Sequence, residues 1–528
     1  MGRSTRHQQD PERHAPSEFA ERELSPFRVS AAGVVVAAIA VFFAFAFPRL
    51  NAQAAPPFKP AWFAPYVDET LPPPYQWQDR AWSPARDVIL SFIVALPTDG
   101  CTPSWGGAFT LARASTALDV DRRVSRLREQ GGDVIVSFGG AANQELAVVC
   151  PSIDRLEAAY GTVVRRYGVK TIDLDLENAA LQDEASMLRR AVAIARLQRS
   201  IRKNHGHLAV WLTLPVAPQG MPAGALKAID AMLRAQVDLA GVNVMTLDFG
   251  GSRVPGQSML QATEAALSSS HAQLAQAYSQ AGLHRSSREV WNLLGVTPMI
   301  GVNDVVTDKF ELSDARALLA FVRKQSIARI SMWSLNRDSQ CSPNVGTQQE
   351  VANYCSGVAQ PPLGFSSVFA KLDGRPPHAN RAIALPQEKS VDNAVASPYP
   401  IWVGLGRYPR GWRVVWHGLV YEARRWTVDE EPNAPVAALV YAPWELVGPV
   451  LPDEHQPVLP RLAPGTYPKW DPTVTYGPGD RVLVDGLPYE SKWSNANIAP
   501  DQPVPNPWDT PWTPLFTPPG APAQAASS

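Results

Sequence analysis

Residues Thr171-Ile172-Asp173-Leu174-Asp175-Leu176-Glu177 carry three acids at alternate positions. On a strand, residues i, i+2 and i+4 share one face. Asp173, Asp175 and Glu177 then point one way; Ile172, Leu174 and Leu176 point the other. Neighbouring carboxylates in such a row lie about 6.5–7 Å apart along the strand. On a solvated sheet face the row would be ordinary. In a parallel sheet covered on both faces it is costly, because charge leaves water. Like charges this close push at least one pKa upward. A carboxylic acid that stays protonated near neutral pH is what general acid catalysis needs. Glu177, the last of the row, is the candidate proton donor.

The elements that must position this row are legible as apolar runs. Eight occur in order: Trp62–Val67, Val88–Ala95, Asp133–Gly140, Thr171–Glu177, Leu208–Pro215, Gly241–Leu247, Val290–Pro298 and Arg329–Leu335. Most are near-continuous, as suits strands buried on both faces. Segments between them, such as Glu184–Lys203 and Ser313–Lys324, have helical spacing. Eight strands alternating with helices across 58–372 predict an α/β fold, a (β/α)8 TIM barrel. An open doubly wound sheet is the rival, and no Gly-x-Gly-x-x-Gly loop supports it. Barrel sites sit at the C-terminal strand ends, where Glu177 falls.

The acid row resembles the Asp-x-x-Asp-x-Asp-x-Glu signature of glycoside hydrolase family 18, the chitinases. Ser137-Phe138-Gly139-Gly140 on the third run resembles the family's Ser-x-Gly-Gly. Met245-Thr246-Leu247-Asp248 after the sixth resembles its Met-x-Tyr-Asp, and Trp333 on the eighth resembles the tryptophan under the sugar. The stretches Thr297 to Asp304 and Ser331 to Asp338 look like a bacterial branch. Three positions depart from the family's pattern: Lys170 replaces the first Asp, Leu247 replaces a Tyr whose hydroxyl helps hold the substrate acetamide, and Phe249 follows where a second Tyr is common. The resemblance implies substrate-assisted, retaining hydrolysis of chitin, an exception to the two-carboxylate pattern. Glu177 would serve as acid and then base, Asp175 would hold the acetamide N–H, and Asp173 would tune the pair. Met245 and Asp248 would shape the acetamide pocket, Trp333 would lie beneath the ring, and Gly139 and Gly140 would belong to the substrate site. No metal or cofactor is implied. A non-catalytic chitin-binding protein and an endo-β-N-acetylglucosaminidase are the alternatives.

Composition frames the rest. The chain has 528 residues, 48 basic and 49 acidic side chains, and a formal net charge of −1. A nucleic-acid scaffold would show a basic excess, so none is expected as partner. A monomer is expected. Residues 1–28 read as a disordered tail. Residues 29–47 are nineteen residues without a charge, long enough for a transmembrane helix, which needs about 20. They predict a membrane anchor, or a signal segment cleaved near Ala54, and in either case an exported chain. Four cysteines fit export as two disulfides. Local pairing, Cys101 with Cys150 and Cys341 with Cys355, is the expected connectivity of three.

Proline is concentrated after residue 358, where 29 of the 50 fall. Sliding 399–444 forward by 68 residues gives sixteen identities without a gap. The pairs include Trp402/Trp470, Tyr408/Tyr476, Arg413/Arg481, Tyr421/Tyr489 and Trp444/Trp512. Two small all-β modules follow, at 398–447 and 466–516, with linkers at 373–397 and 448–465 and a disordered tail at 517–528. The second copy resembles the chitin-binding modules of carbohydrate-binding families five and twelve. Exposed aromatic rings stack on sugar faces, so Trp402, Trp426, Trp470, Tyr489 and Trp493 are the candidate chitin contacts.

Overall fold

Apolar runs pair here in an order that returns to its start. The computed structural model describes residues 60–80, 82–342, 351–379, 391–404, 406–434, 441–452, 454–502 and 510–521. The expectations for 1–28 and 29–47 lie outside these. Among the described residues no helix is long and apolar enough to cross a membrane.

The first run is split. β1 (Trp62–Phe63) and β2 (Tyr66–Asp68) flank Ala64-Pro65, where proline withholds a ladder donor. After them come β3 (Asp87–Leu96), β4 (Asp99–Trp105), β5 (Phe109–Thr110), β6 (Asp133–Gly139), β7 (Thr171–Asp175), β8 (Ala209–Pro215), β9 (Leu239–Met245), β10 (Leu294–Thr297), β11 (Gly301–Val302), β12 (Lys309–Phe310) and β13 (Arg329–Ile330). Parallel pairings run β2–β3–β6–β7–β8–β9–β10–β13–β1. Since β1 and β2 are one segment, the ring closes as a barrel of eight parallel strands. Helices such as Ile153–Tyr167, Glu184–Lys203 and Met259–Gln280 lie between the strands in sequence. Their apolar faces pack on the outward strand residues in one large buried cluster, which includes Ile172, Leu174 and Leu176.

Several run boundaries shift. Val290 belongs to a short helix, Ser287–Trp291, started by a Ser286/Glu289 capping box, so that strand begins only at Leu294. The last strand ends at Ile330, and Leu335–Arg337 is a 3-10 turn. β4 and β5 were not legible, because Asp99–Trp105 contains Gly, Pro and polar residues. β4 forms through antiparallel pairing with β3, and β5 through antiparallel pairing with β4. Cys101 of β4 is joined to Cys150, and Cys341 to Cys355.

The C-terminal part forms two small β units with matching skeletons. The first has β14 (Arg407–Tyr408), β15 (Arg413–Trp416), β16 (Leu419–Ala423), β17 (Thr427–Val428) and β18 (Trp444–Pro449). The second has β19 (Thr475–Tyr476), β20 (Arg481–Val484), β21 (Leu487–Ser491), β22 (Asn495–Ala496) and β23 (Trp512–Pro514). In each, two short strands pair and three others make a meander. The Tyr408 hydroxyl accepts from Val403 N–H at 2.9 Å, and the Tyr476 hydroxyl accepts from Asp471 N–H at 2.7 Å. The Trp444 indole donates to the Glu430 carbonyl, and the Trp512 indole to that of Ile498.

The expected linkers and tail are more attached than their proline content suggested. Arg375 pairs with Asp87, and Thr171 donates to the Pro377 carbonyl. Glu454 pairs with Arg122. Gly520, placed in the tail by composition, accepts a 2.7 Å bond from Arg413 N–H. Prolines here fit extended backbone that docks on folded neighbours, a use that composition alone does not separate from disorder.

Candidate active site

β7 brings the acids to the barrel interior at three depths. Asp173 is fully buried and saturated with donors. Tyr66 Oη (2.9 Å) and Ser137 Oγ (2.7 Å) donate to its Oδ2, and Thr213 Oγ1 (2.7 Å) and Arg329 Nη1 (2.6 Å) to its Oδ1. Five strands thus converge on one carboxylate. A buried charge needs such pairing to be tolerated. Asp175 is also buried, and its Oδ1 has no hydrogen-bond partner among the described residues. Burial, then the charges of Glu177 and Asp173, push its carboxyl well above the usual range, against the pull of Arg329.

Glu177 stands two residues past the strand end, where Asn178–Leu181 turns as a 3-10 helix. It is half-buried. Its pKa is raised by burial first, then by Asp248 and Asp304. Lys170, the departure at the head of the signature, precedes β7 at the opposite end of the strand from Glu177.

Asp175 and Glu177 line a cavity of about 230 Å3. Its wall also holds Tyr66, Phe92, Met245, Leu247, Asp248 and Trp333. Trp333 is held beside Met299 by a parallel bridge, and its ring stacks with Phe92 at 5.6 Å between centroids and 21° between planes. Asp248 adopts a left-handed φ of 51°. Its Oδ1 accepts from Val305 N–H at 2.7 Å, which fixes the carboxylate beside the cavity. Burial raises its pKa, and Asp304 and Asp308 add to that against the Val305 bond. Arg337 lies behind, donating to the Ile300 and Val302 carbonyls. Burial lowers its pKa to about 10, against Asp304 and Asp248.

Gly139 and Gly140 do not line this cavity; they shape it from behind. A Cβ on Gly139 would sit 2.1 Å from the Asp175 carbonyl oxygen, and one on Gly140 would meet Phe92 at 2.9 Å. Gly140 N–H donates to that same carbonyl at 3.0 Å. Sequence reasoning missed Tyr66, Phe92, Thr213, Asp304 and Arg329. Asp304 lay within a matched stretch, but the others carried no local signal.

Among the aromatic candidates of the C-terminal units, Trp426 is 39% and Trp493 44% exposed. Trp402 and Trp470 are only partly exposed and pack on the cores of their units. Tyr489 is corrected to core: it is buried, with Phe516 edge-on at 5.6 Å. Its backbone pairs with Val482 inside the meander.

No family model matches the chain. It is 32% identical over 325 residues to a probable bifunctional chitinase/lysozyme of Escherichia coli K12, covering 59% of this chain and 35% of that one. It is 33% identical over 295 residues to endochitinase 11 of Metarhizium anisopliae, covering 53% and 54%. The chain thus spans about half or less of the length of these curated relatives. Among solved structures, active domain 2 of a chitinase from Pyrococcus furiosus is similar, with a TM-score of 0.51 and 28% identity, over 60% of this chain and 95% of that one.

Proposed function

We propose that the chain is a chitinase of the glycoside hydrolase family 18 kind, hydrolysing β-1,4 linkages between N-acetylglucosamine units with retention. The observation that carries this is the graded acid row. It rises from a saturated, paired Asp173, through a buried Asp175 with an open acceptor, to a half-buried Glu177 at an aromatic-walled cavity. Each depth suits one task. Glu177, with a raised pKa, holds the proton that the departing glycosidic oxygen needs. Asp175 Oδ1, without a partner among the described residues, accepts the acetamide N–H and so turns the acetamide oxygen toward C1. In its ionised form Asp175 stabilises the cationic ring that forms. Asp173, paired with Arg329, adds its field to Asp175. Trp333 and Phe92 give the sugar an apolar floor. Leu247 closes one side without a hydroxyl and leaves the acid untouched.

The chitinase names and the solved neighbour support this reading, as does the match of the sequence motifs to one cavity. Export is supported by the two disulfides. Residues 29–47 would serve as anchor or signal. The second C-terminal unit, with Trp493 exposed, is read as a chitin-binding module.

The test is Glu177→Gln on chitin hexasaccharide. Removing a general acid costs about 10²–10⁴-fold in rate, so turnover should drop by at least a hundredfold while the fold is kept. Turnover near that of the native chain would overturn the assignment. Retention is checked by the anomeric signal of the first product in proton NMR.

A further inference from the structure

Past its last strand the chain turns back from the second C-terminal unit to the first. Leu515 N–H donates to the Pro488 carbonyl at 2.9 Å, and Phe516 lies edge-on to Tyr489, so up to here the chain belongs to the second unit. Four residues later Gly520 accepts the Arg413 N–H at 2.7 Å, on β15 of the first unit. Four residues span at most about 14 Å even when fully extended. The other connection leaves the first unit at Val450, which donates to the Gly418 carbonyl. It reaches the second at Leu462, which donates to the Gly486 carbonyl. A stretch of that length could extend to about 40 Å. The short return therefore limits how far the units can part, where the linker alone would not.

The seat of the returning segment is close-fitting. Gly520 is buried, with φ of 90°, a region that side-chain-bearing residues rarely adopt. A Cβ there would fall 2.5 Å from the Arg413 carbonyl oxygen, 2.9 Å from Trp412 Nε1 and 3.0 Å from Pro400 Cδ. Ala521 N–H closes a turn onto the Pro518 carbonyl at 3.1 Å. Trp412 stands where the repeat has Asp480 in the second unit, so this aromatic wall belongs to the first copy alone. Through Arg413 the contact continues to the barrel: its backbone holds Gly520, and its guanidinium holds Asp119 at 2.6 Å.

We infer that residues 517–521 are a strap that locks the second C-terminal unit onto the first, and through Arg413 onto the barrel. Trp426 and Trp493, exposed on the two units, are then presented in one set placement. An insoluble polymer of β-linked N-acetylglucosamine that meets one ring meets the other without a further cost of ordering the units. That consequence rests on the reading of the two rings as chitin contacts; the strap itself does not.

The experiment uses the full chain with spin labels at Val403→Cys and Val474→Cys, an exposed valine in each unit. The four native cysteines are held in disulfides. The labelled chain is compared with its Gly520→Ala variant and with a chain ended after Thr517, which keeps Phe516. Pulsed electron resonance should give one narrow distance distribution in the first and a distribution at least twice as broad in the other two. A truncated chain as narrow as the native one overturns the strap, as does a native chain that is already broad. In a second arm, Gly520→Ala should weaken binding to colloidal chitin at least threefold, and should have no such effect in a Trp493→Ala background, where one ring is gone. Equal weakening in both backgrounds overturns the paired presentation. If neither Trp426→Ala nor Trp493→Ala weakens chitin binding, the reading of these rings fails, and the label distances still judge the strap.

Discussion

Glu177 owes its raised pKa to its surroundings, and that gives a measurable handle. Burial disfavours its ionised form, and the negative charges of Asp248 and Asp304 add to this. The acid form therefore persists to higher pH than a free glutamic acid would allow. Asp248→Asn removes one of the two named charges, lowers the Glu177 pKa, and should move the alkaline limb of kcat toward acid. The pH profile of kcat on chitin hexasaccharide checks this; a limb that stays or moves toward alkali contradicts it. At the base of the row, Asp173 and Arg329 are a buried pair with no exposed side-chain surface on either partner. Removing one member of such a pair leaves an unpaired charge and costs about 3–5 kcal/mol. Arg329→Met should lose stability on that scale in urea unfolding. The acid row was legible because its period of two is local to seven residues. Arg329 was not, because it meets Asp173 across 156 positions of sequence, and nothing beside it sets it apart from other arginines. Tyr66, 107 positions from the same carboxylate, was hidden for the same reason.

At the scale of elements, the turn after β6 sets how near the third and fourth barrel strands approach. Gly139 and Gly140 have φ of 102° and 86°, a region that side-chain-bearing residues rarely adopt. Gly139 also lies against the Asp175 backbone, so a methyl there must separate β6 from β7 where the acids sit. Gly139→Ala should cost at least about 2 kcal/mol from strain and overlap, read as a lower melting temperature. Activity on chitin hexasaccharide should fall with it, since Asp175 shifts. The Gly pair was visible as a motif, but its task was not, because the contact it permits is with another strand's backbone. The interior barrel strands were legible for a simple reason: burial on both faces writes a continuous apolar run. Strand ends were not. Val290 took a helical turn because Ser286 and Glu289 cap it, and the tertiary ladder starts β10 only at Leu294. β4 needed β3 as its partner before its mixed composition could become a strand.

For the whole molecule, the two C-terminal units share a fold but not a situation. Arg413 and Arg481 occupy matching places, and each pairs with its own glutamate, Glu422 at 3.0 Å and Glu490 at 2.8 Å. Only Arg413 also reaches the barrel, at Asp119, whose side chain is 7% exposed. β18 runs six residues, Trp444–Pro449, where its counterpart β23 has three. The added length lies against the barrel helix Val120–Glu129: a Cβ on Gly448 would fall 2.9 Å from the Arg122 backbone oxygen. The repeat was legible from identities at fixed offset, whereas docking depends on the few positions where the copies differ. Asp119 serves as the electrostatic latch in this contact. Replacing Arg413 by Ala leaves Asp119 without that partner and removes the bond to Glu422. A partly buried pair of this kind is worth on the order of 1–3 kcal/mol, between the exposed and the fully buried cases. The loss should appear as local opening rather than global unfolding, because the barrel core does not depend on the bridge. Hydrogen exchange should therefore quicken together in Trp444–Pro449 and Val120–Glu129 of the variant, by about tenfold per 1.4 kcal/mol lost. Exchange in β7 and β8 should stay as in the native chain. Arg481→Ala, at the matching place in the second copy, should leave the barrel helix unchanged. An equal response to both substitutions would show that the latch is not where the two parts are held.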